Sequence, residues 1–188
     1  KIFHIGTSNK DDSRSWSVPR WDEHEILKTL PKITRGDTTD LQSGFPSING
    51  KRLPYYCSDA PEENFLDAEI AKIAINRMKA LKDSSFFLAV GFLKPHLPFV
   101  SPRKYWDLYD ESKIVVPERT IPVGMPEISL LSFGELRQYY GIPKNGFIND
   151  KKSRELIHAY YAAVSMVDEQ IGKLLNARCR KLYPTVVK

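Results

Sequence analysis

The sequence predicts an α/β fold with a mostly parallel sheet and long loops, and three observations carry this prediction. A stretch of helical periodicity is followed at once by a short, nearly continuous apolar run over residues 86–92, which is the helix–strand alternation of α/β proteins. A second, longer amphipathic helix follows later in the chain. Between these elements lie two loop-rich stretches, 7–61 and 111–150, of a length that is uncommon unless the loops serve a site.

The first helix is predicted over residues 62–82. Pro61 and the acidic residues Glu62 and Glu63 suit its first turn, because proline fits the first helical position and carboxylates favour the positive end of the helix dipole. Apolar residues then recur at helical spacing: Leu66, Ile70, Ile73, Ala74 and Leu81. We expect this stripe to face the core, with Ile73 at its centre.

The run 86–92 has the composition of a buried parallel strand. Residues 1–5 alternate apolar and polar side chains and end at Gly6, so we expect a second strand of the same sheet there. The loop 91–100 would then leave the carboxyl edge of the sheet, which is where open α/β sheets bind their ligands.

The second half of the chain contains a short helix and the long one. Ser101 is the expected N-cap of the short helix, with Pro102 at its first position. The long helix is predicted over 151–177, with Asp150 as its N-cap and Val164 near the middle of its apolar stripe. That stripe consists of Leu156, Tyr160, Ala163, Val164, Val167, Ile171, Leu174 and Leu175.

Composition excludes some classes of protein and leaves others open. A hydrophobic fraction of 41% argues against disorder, and the net charge of +5 favours anionic ligands only weakly, since a basic solvated surface explains it equally well. No stretch predicts a membrane span or a signal peptide, and no basic helix with interleaved aromatic residues predicts nucleic-acid binding. The two cysteines, Cys57 and Cys179, can form at most one bridge and match no zinc pattern, so no metal site is predicted. Because residue 1 is lysine, we expect a piece of a longer protein.

The segment GFLKPHLPFV, residues 91–100, holds the most specific candidate side chain, His96. Pro95 and Pro98 restrict the backbone around it, and stiffness helps when a side chain must be held for chemistry. The alternative is an ordinary strand-ending turn, with equal weight on the residues alone. Lys94 is expected to point away from His96, toward solvent or the flank of a substrate.

The other histidines are weaker candidates. His4 ends an apolar run, and taken alone it is better explained as a strand-end residue bonded to backbone. His24 lies among charged residues, and His158 lies off the apolar stripe of the long helix, so both are expected at the surface.

Three blocks, taken together and in order, are more specific than any of them alone: KIFH at residues 1–4, FFLAVGFLKPHLPF at 86–99 and YYAAVSMVDEQIGKLL at 160–175. In this order they resemble the sulfatase family. The resemblance implies an alkaline-phosphatase-like, three-layer α/β/α domain, of which residues 1–177 would be a part and 178–188 a divergent tail.

The resemblance also assigns roles to matching residues. Lys1 would contact the sulfate, His4 would bind the sulfate and assist its expulsion from the nucleophile, and His96 would bind the sulfate or give a proton to the leaving alcohol. Cationic side chains suit a spread anion and the charge that grows on a leaving oxygen. The similar family members remove the 2-sulfate of iduronate from heparan and dermatan sulfate, which implies a sulfated glycosaminoglycan as substrate and a lysosomal location.

Departures from the family pattern qualify these roles. Sulfatases use a formylglycine made from the cysteine of a Cys-x-Pro-x-Arg segment, and no such segment occurs in these 188 residues. The calcium ligands of the family also lie outside the matched part, so Ca²⁺ is expected only for the full-length protein. We therefore expect this piece to be inactive alone. The alternative is a non-catalytic or truncated product that binds polyanions.

Overall fold

The computed structural model describes residues 14, 16–18, 47–130 and 134–177. Several predictions concern residues outside these ranges and stay untested by the structure: the strand 1–5 with Lys1 and His4, the surface position of His24, the pairing of Cys179, and the tail 178–188.

A β–α–β unit forms the centre of the described structure. Strand β3 (Tyr55–Ser58) and strand β4 (Phe99–Pro102) pair in parallel, with Tyr55 opposite Phe99. Helix α1 (Leu66–Ala80) connects them, after a 3₁₀ turn at Glu62–Asn64. Helix followed by parallel strand is therefore confirmed as a pattern, although the strand is not the predicted one.

A small hairpin precedes this unit. Strand β1 (Ser47–Ile48) pairs antiparallel with strand β2 (Lys51–Arg52). Asn49 and Gly50 form its two-residue turn, both with positive φ (50° and 73°), which is the backbone that Asn-Gly turns supply at low cost.

The predicted strand 86–92 is wrong in this structure. The segment has no regular secondary structure, and Phe87 is 82% exposed. A strand is stable only when its backbone groups pair with a neighbour, and no described segment lies alongside 86–92 as a strand. The described residues bury the run only in part: Leu88, Val90 and Phe92 are half-buried, and the ring of Trp16 stacks on Phe87 with centroids 6.5 Å apart.

Two helices follow β4. Helix α2 (Arg103–Trp106) begins after Pro102, and helix α3 (Asp150–Asn176) runs for 27 residues. The helix predictions are confirmed, but their caps were wrong. Ser101 lies inside β4, and the N-cap of α3 is Asn149, whose side-chain oxygen accepts a hydrogen bond from the amide of Lys152 at 2.8 Å.

Helix α3 packs on β4, α1 and α2, and its contact face differs from the predicted stripe. The fully buried positions are mostly small, because alanines let the helix backbone approach the strand closely: Ala159, Ala162, Ala163 and Met166. The larger apolar residues lie to one side, with Tyr160 42% and Val164 37% exposed. Val164 is therefore not a core residue in this structure.

Two apolar clusters stabilise these contacts. One joins α3 to β4 and α2 through Phe65, Val100, Tyr105, Ala162 and Met166. The other joins the start of α3 to the 136–148 loop and the strand β4, through Tyr139, Ile142 and Leu156 with Leu97 and Phe99 packed against them. The second cluster matters for the site, because it holds Leu97, the neighbour of His96, against the body of the protein.

Helix α1 shows the same shift of face. Its buried positions are Asp67, Ala71, Ala74 and Met78, while Ile73 is only half-buried. The carboxylate of Asp67 thus lies on the buried face of α1, at a position where helical periodicity predicts an apolar side chain.

Candidate active site

His96 lies in the loop that leads into β4, three residues before Phe99. This corrects its predicted position. It precedes the amino end of a strand instead of following the carboxyl end of 86–92. The peptide bonds Lys94–Pro95 and Leu97–Pro98 are both cis. The amide of Phe99 donates to the carbonyl of Pro54 at 2.9 Å, which joins the end of the loop to the residue before β3.

One ring nitrogen of His96 bonds to the backbone, and the other faces the carboxylate of Glu135. Nδ1 lies 2.8 Å from the carbonyl oxygen of Leu97. A carbonyl only accepts, so Nδ1 carries the hydrogen of this bond. Nε2 is then the ring nitrogen left for another partner, and the His96 side chain is 49% exposed. This arrangement allows His96 to bind an anion or to transfer a proton at Nε2.

Glu135 faces the outward nitrogen. Its Oε2 lies 3.7 Å from His96 Nε2, and its side chain is 48% exposed. The turn that follows is fixed by Arg137, whose guanidinium donates to the carbonyls of Pro143 and Gly146, both at 2.8 Å. A carboxylate oxygen of Glu135 therefore already lies in the direction in which Nε2 points.

Behind His96 the loop is fixed by a buried carboxylate. Asp67 of α1 is 3% exposed, and its Oδ1 and Oδ2 accept hydrogen bonds from the backbone amides of Leu93 (2.7 Å) and Lys94 (3.2 Å). Burial raises the pKa of Asp67, against the opposing effect of these two amides and of the Lys94 charge. Asp67 was not among the predicted site residues. Its helical spacing with Ala71, Ala74 and Met78 places it on the buried face of α1, but this spacing does not indicate a contact with the loop.

Lys94 also turns inward, contrary to its predicted orientation. Its ammonium donates to the carbonyl of Pro98 at 2.6 Å, across the loop that carries His96. Burial lowers the pKa of Lys94 to about 8, with the nearby Asp67 carboxylate opposing that change. The amine therefore closes the loop on itself, and His96 is the side chain that the loop presents to solvent.

His158, predicted at the surface, is buried. Nε2 lies 2.9 Å from the carbonyl of Trp106 and Nδ1 lies 3.3 Å from Glu111 Oε2, so this histidine joins α3 to α2 and to the turn after it. Its partners are both structural, and it has no part in the candidate site.

Lys1 and His4 lie outside the described residues, so their convergence with His96 on one anion stays a prediction. Within the described ranges, no group of three or more His, Cys, Asp or Glu side chains could hold a metal ion. In the same ranges no helix is long and apolar enough to cross a membrane.

Two clefts lie away from the His96 loop. One of about 710 Å³ is lined by the end of α1, the 82–90 segment and Leu174, and one of about 490 Å³ by the 141–149 loop and Lys152. The His96 loop lines neither of them. The candidate site is therefore assigned from the loop and its chemistry, and not from a cavity.

Comparison with known proteins identifies the family. The model of the family described as Sulfatase matches residues 29–187, which is most of the chain. The chain belongs to the sulfatase family, and the resemblance seen in the sequence is confirmed. Membership implies an alkaline-phosphatase-like α/β fold. The division of that fold into three layers stays a prediction.

Individual members of the family are similar to this chain over much of its length. Human iduronate 2-sulfatase is 31% identical over 189 residues, covering 94% of this chain and 33% of that protein. The mouse iduronate 2-sulfatase is 28% identical over the same coverage. The choline-sulfatase of Rhizobium meliloti is 30% identical over 131 residues, 64% of this chain and 25% of that enzyme. The chain thus spans about a third of the length of the iduronate 2-sulfatases that it matches.

Proposed function

We propose that this chain supplies part of the catalytic domain of a sulfuric ester hydrolase, with His96 as the residue that contacts the sulfate and protonates the leaving alcohol. The observation that carries the proposal is the presentation of His96: Nδ1 is bound to the Leu97 carbonyl, and the half-exposed side chain lies on a loop that is fixed at several points. Membership in the sulfatase family supports the same chemistry.

The chemistry follows from the atoms present. Hydrolysis of a sulfate ester breaks the bond between sulfur and the alcohol oxygen, and negative charge grows on that oxygen as the bond breaks. A proton at Nε2 can pass to it, and the hydrogen at Nδ1 keeps the ring in one orientation during the transfer. Such general-acid catalysis contributes on the order of 10²–10⁴-fold.

Lys1 and His4 complete the proposed sulfate site as further cationic contacts, by the family resemblance of the segment KIFH. In the family, formylglycine supplies the nucleophile and Ca²⁺ supplies positive charge at the sulfate. The described residues contain no cluster that fits the metal, and we assign no step of this proposal to either group.

The proposed substrate is the 2-sulfate of iduronate in heparan and dermatan sulfate. The support is the similarity to two proteins named iduronate 2-sulfatase, each across 94% of this chain. A choline-sulfatase matches a shorter part of the chain, so substrate specificity is the element of the proposal that most needs an experiment. A lysosomal location belongs to the same proposal.

A binding titration on the 188-residue chain tests the proposal. The chain is labelled with ¹³C at the histidine rings, and a disaccharide containing 2-sulfated iduronate is added. We expect the His96 resonances to shift with saturation, and the desulfated disaccharide to produce no shift. Lys113→Ala is the matched control, because Lys113 is an exposed cation (82%) whose partner among the described residues is Asp110 of its own turn.

The outcomes separate the candidate functions. Loss of binding in His96→Ala but not in Lys113→Ala, each measured by titration calorimetry with the same disaccharide, supports the proposal. Equal weakening by both substitutions supports binding of polyanions through a basic surface and contradicts it. Equal shifts with choline sulfate and with the disaccharide would contradict only the iduronate assignment.

A further inference from the structure

We infer that Asp67 is a positioning residue for His96, which it holds in place through the backbone of residues 93–94. This inference rests on the proposed function of His96 and extends it to a residue in another element. Asp67 belongs to α1 and is separated from the loop by 26 residues of sequence, yet both of its carboxylate oxygens bond to the loop backbone.

The backbone of the loop explains why a carboxylate is needed there. Residues 85–93 have no regular secondary structure, so the amides of Leu93 and Lys94 take part in no strand ladder. A buried amide without an acceptor is unfavourable, and Asp67 provides an acceptor for each of the two. Hydrogen bonds to an ionised carboxylate are shorter and stronger than those to a neutral acceptor, and the Leu93 bond is 2.7 Å long.

Lys94 contacts both Asp67 and the far end of the loop. Its amide bonds to Asp67, and its ammonium bonds to the carbonyl of Pro98 on the far side of His96. The loop is therefore held at both ends, before and after the histidine, by groups connected through one residue. Since Leu97 also packs in the apolar cluster with Phe99, His96 is the one loop position between these anchors that reaches solvent with its polar tip.

The burial of Asp67 argues against a role in stability alone. A carboxylate that is 3% exposed raises the free energy of the folded state through lost hydration, and its raised pKa records that cost. An alanine at this position of the helix would avoid the cost, as Ala71 and Ala74 do one and two turns later. At Asp67 the carboxylate offsets this cost by accepting hydrogen bonds from the amides of Leu93 and Lys94.

The test compares Asp67→Asn with Glu69→Gln in the full 188-residue chain. Both substitutions remove one negative charge from α1 at nearly constant volume. Glu69 pairs with Lys72 on the helix surface at 3.0 Å and does not contact the loop. In Asp67→Asn one acceptor oxygen becomes an amide donor, so one loop amide loses its partner.

Two readouts decide the inference. Exchange of one of the two amides, Leu93 or Lys94, should accelerate by about 10–100-fold in Asp67→Asn, the range expected for loss of a hydrogen bond to a charged group, and both should stay unchanged in Glu69→Gln. The His96 ring resonances should shift in Asp67→Asn alone, and the affinity of the chain for inorganic sulfate at His96 should fall.

The contradicting results are distinct. Unchanged exchange at residues 93–94 in Asp67→Asn would overturn the inference. So would a uniform acceleration across α1 and β4, because it would make Asp67 a general stabilising residue. If wild-type His96 does not respond to sulfate while exchange accelerates as expected, the function proposed for His96 fails and the loop-holding role of Asp67 stands.

Discussion

Truncation of Met166 should destabilise the protein far more than truncation of Val164, two positions earlier on the same helix. Met166 is 0% exposed and packs with Phe65, Val100 and Tyr105. Met166→Ala leaves a cavity between α3 and β4 and should lower the free energy of unfolding by about 2–5 kcal/mol.

Val164→Ala has a smaller expected effect. The two methyl groups that it removes would contribute about 1.6 kcal/mol if fully buried. Because Val164 is 37% exposed, about 1 kcal/mol remains. Alanine is the better helix former by roughly 0.5 kcal/mol, so the net loss should be about 0.5 kcal/mol.

Urea denaturation followed by circular dichroism at 222 nm measures both variants against the wild type. The apolar stripe read from the sequence places Val164 in the core and omits Met166, so it predicts the opposite order. Equal losses, or a larger loss for Val164→Ala, would refute the packing described for α3.

Three further predictions concern other parts of the structure. His158→Ala should lower the free energy of unfolding by about 1–3 kcal/mol, because the part-buried hydrogen bond between His158 Nε2 and the Trp106 carbonyl is lost; a loss below roughly 0.5 kcal/mol in the same denaturation assay, the level of a surface change, would contradict the buried position of His158. Burial opposes ionisation of Glu62, but hydrogen bonds from Lys104 and Lys173 outweigh it and lower its pKa to about 2, from an ordinary value of 4.5. A carboxyl group whose pKa is lowered in the folded state contributes stability that is present above pH 4.5 and lost as the pH falls toward 2. The difference in melting temperature between the wild type and Glu62→Gln should therefore shrink as the pH falls through that window. A difference that does not change with pH would contradict this. The 188-residue chain should show no turnover of a fluorogenic iduronate 2-sulfate with Ca²⁺, since it holds no Cys-x-Pro-x-Arg segment; turnover abolished by His96→Ala would be the contrary result.

The helices were predictable because their signals are local. Periodicity and first-turn residues placed α1 and α3 within a few residues of their observed bounds. The faces were not predictable to the same degree. Size and hydropathy favoured Tyr160 and Val164, but the close approach of β4 selected the alanines between them. Which face a helix buries depends on the partner, and a single helix does not encode the partner.

The strand 86–92 failed for a related reason. An apolar run reports a tendency toward burial, whereas a strand also needs a paired neighbour, and the parallel pair formed instead between β3 and β4. His96 was predicted as a site residue from the chemistry of its segment, and this prediction did not depend on the strand. Asp67 was missed because its role depends on contact with residues 93–94, which no local pattern of α1 reveals.

The most direct test of the central claim is a crystal structure of the chain grown with sulfate. The account predicts one sulfate with an oxygen within about 2.7–3.2 Å of His96 Nε2, and with His4 and Lys1 contacting the same anion. The distance between the imidazoles of His4 and His96 would then be spanned by that single sulfate. Imidazoles at opposite ends of the fold, with no anion at Nε2, would contradict the claim and return the 91–100 segment to a turn before a strand.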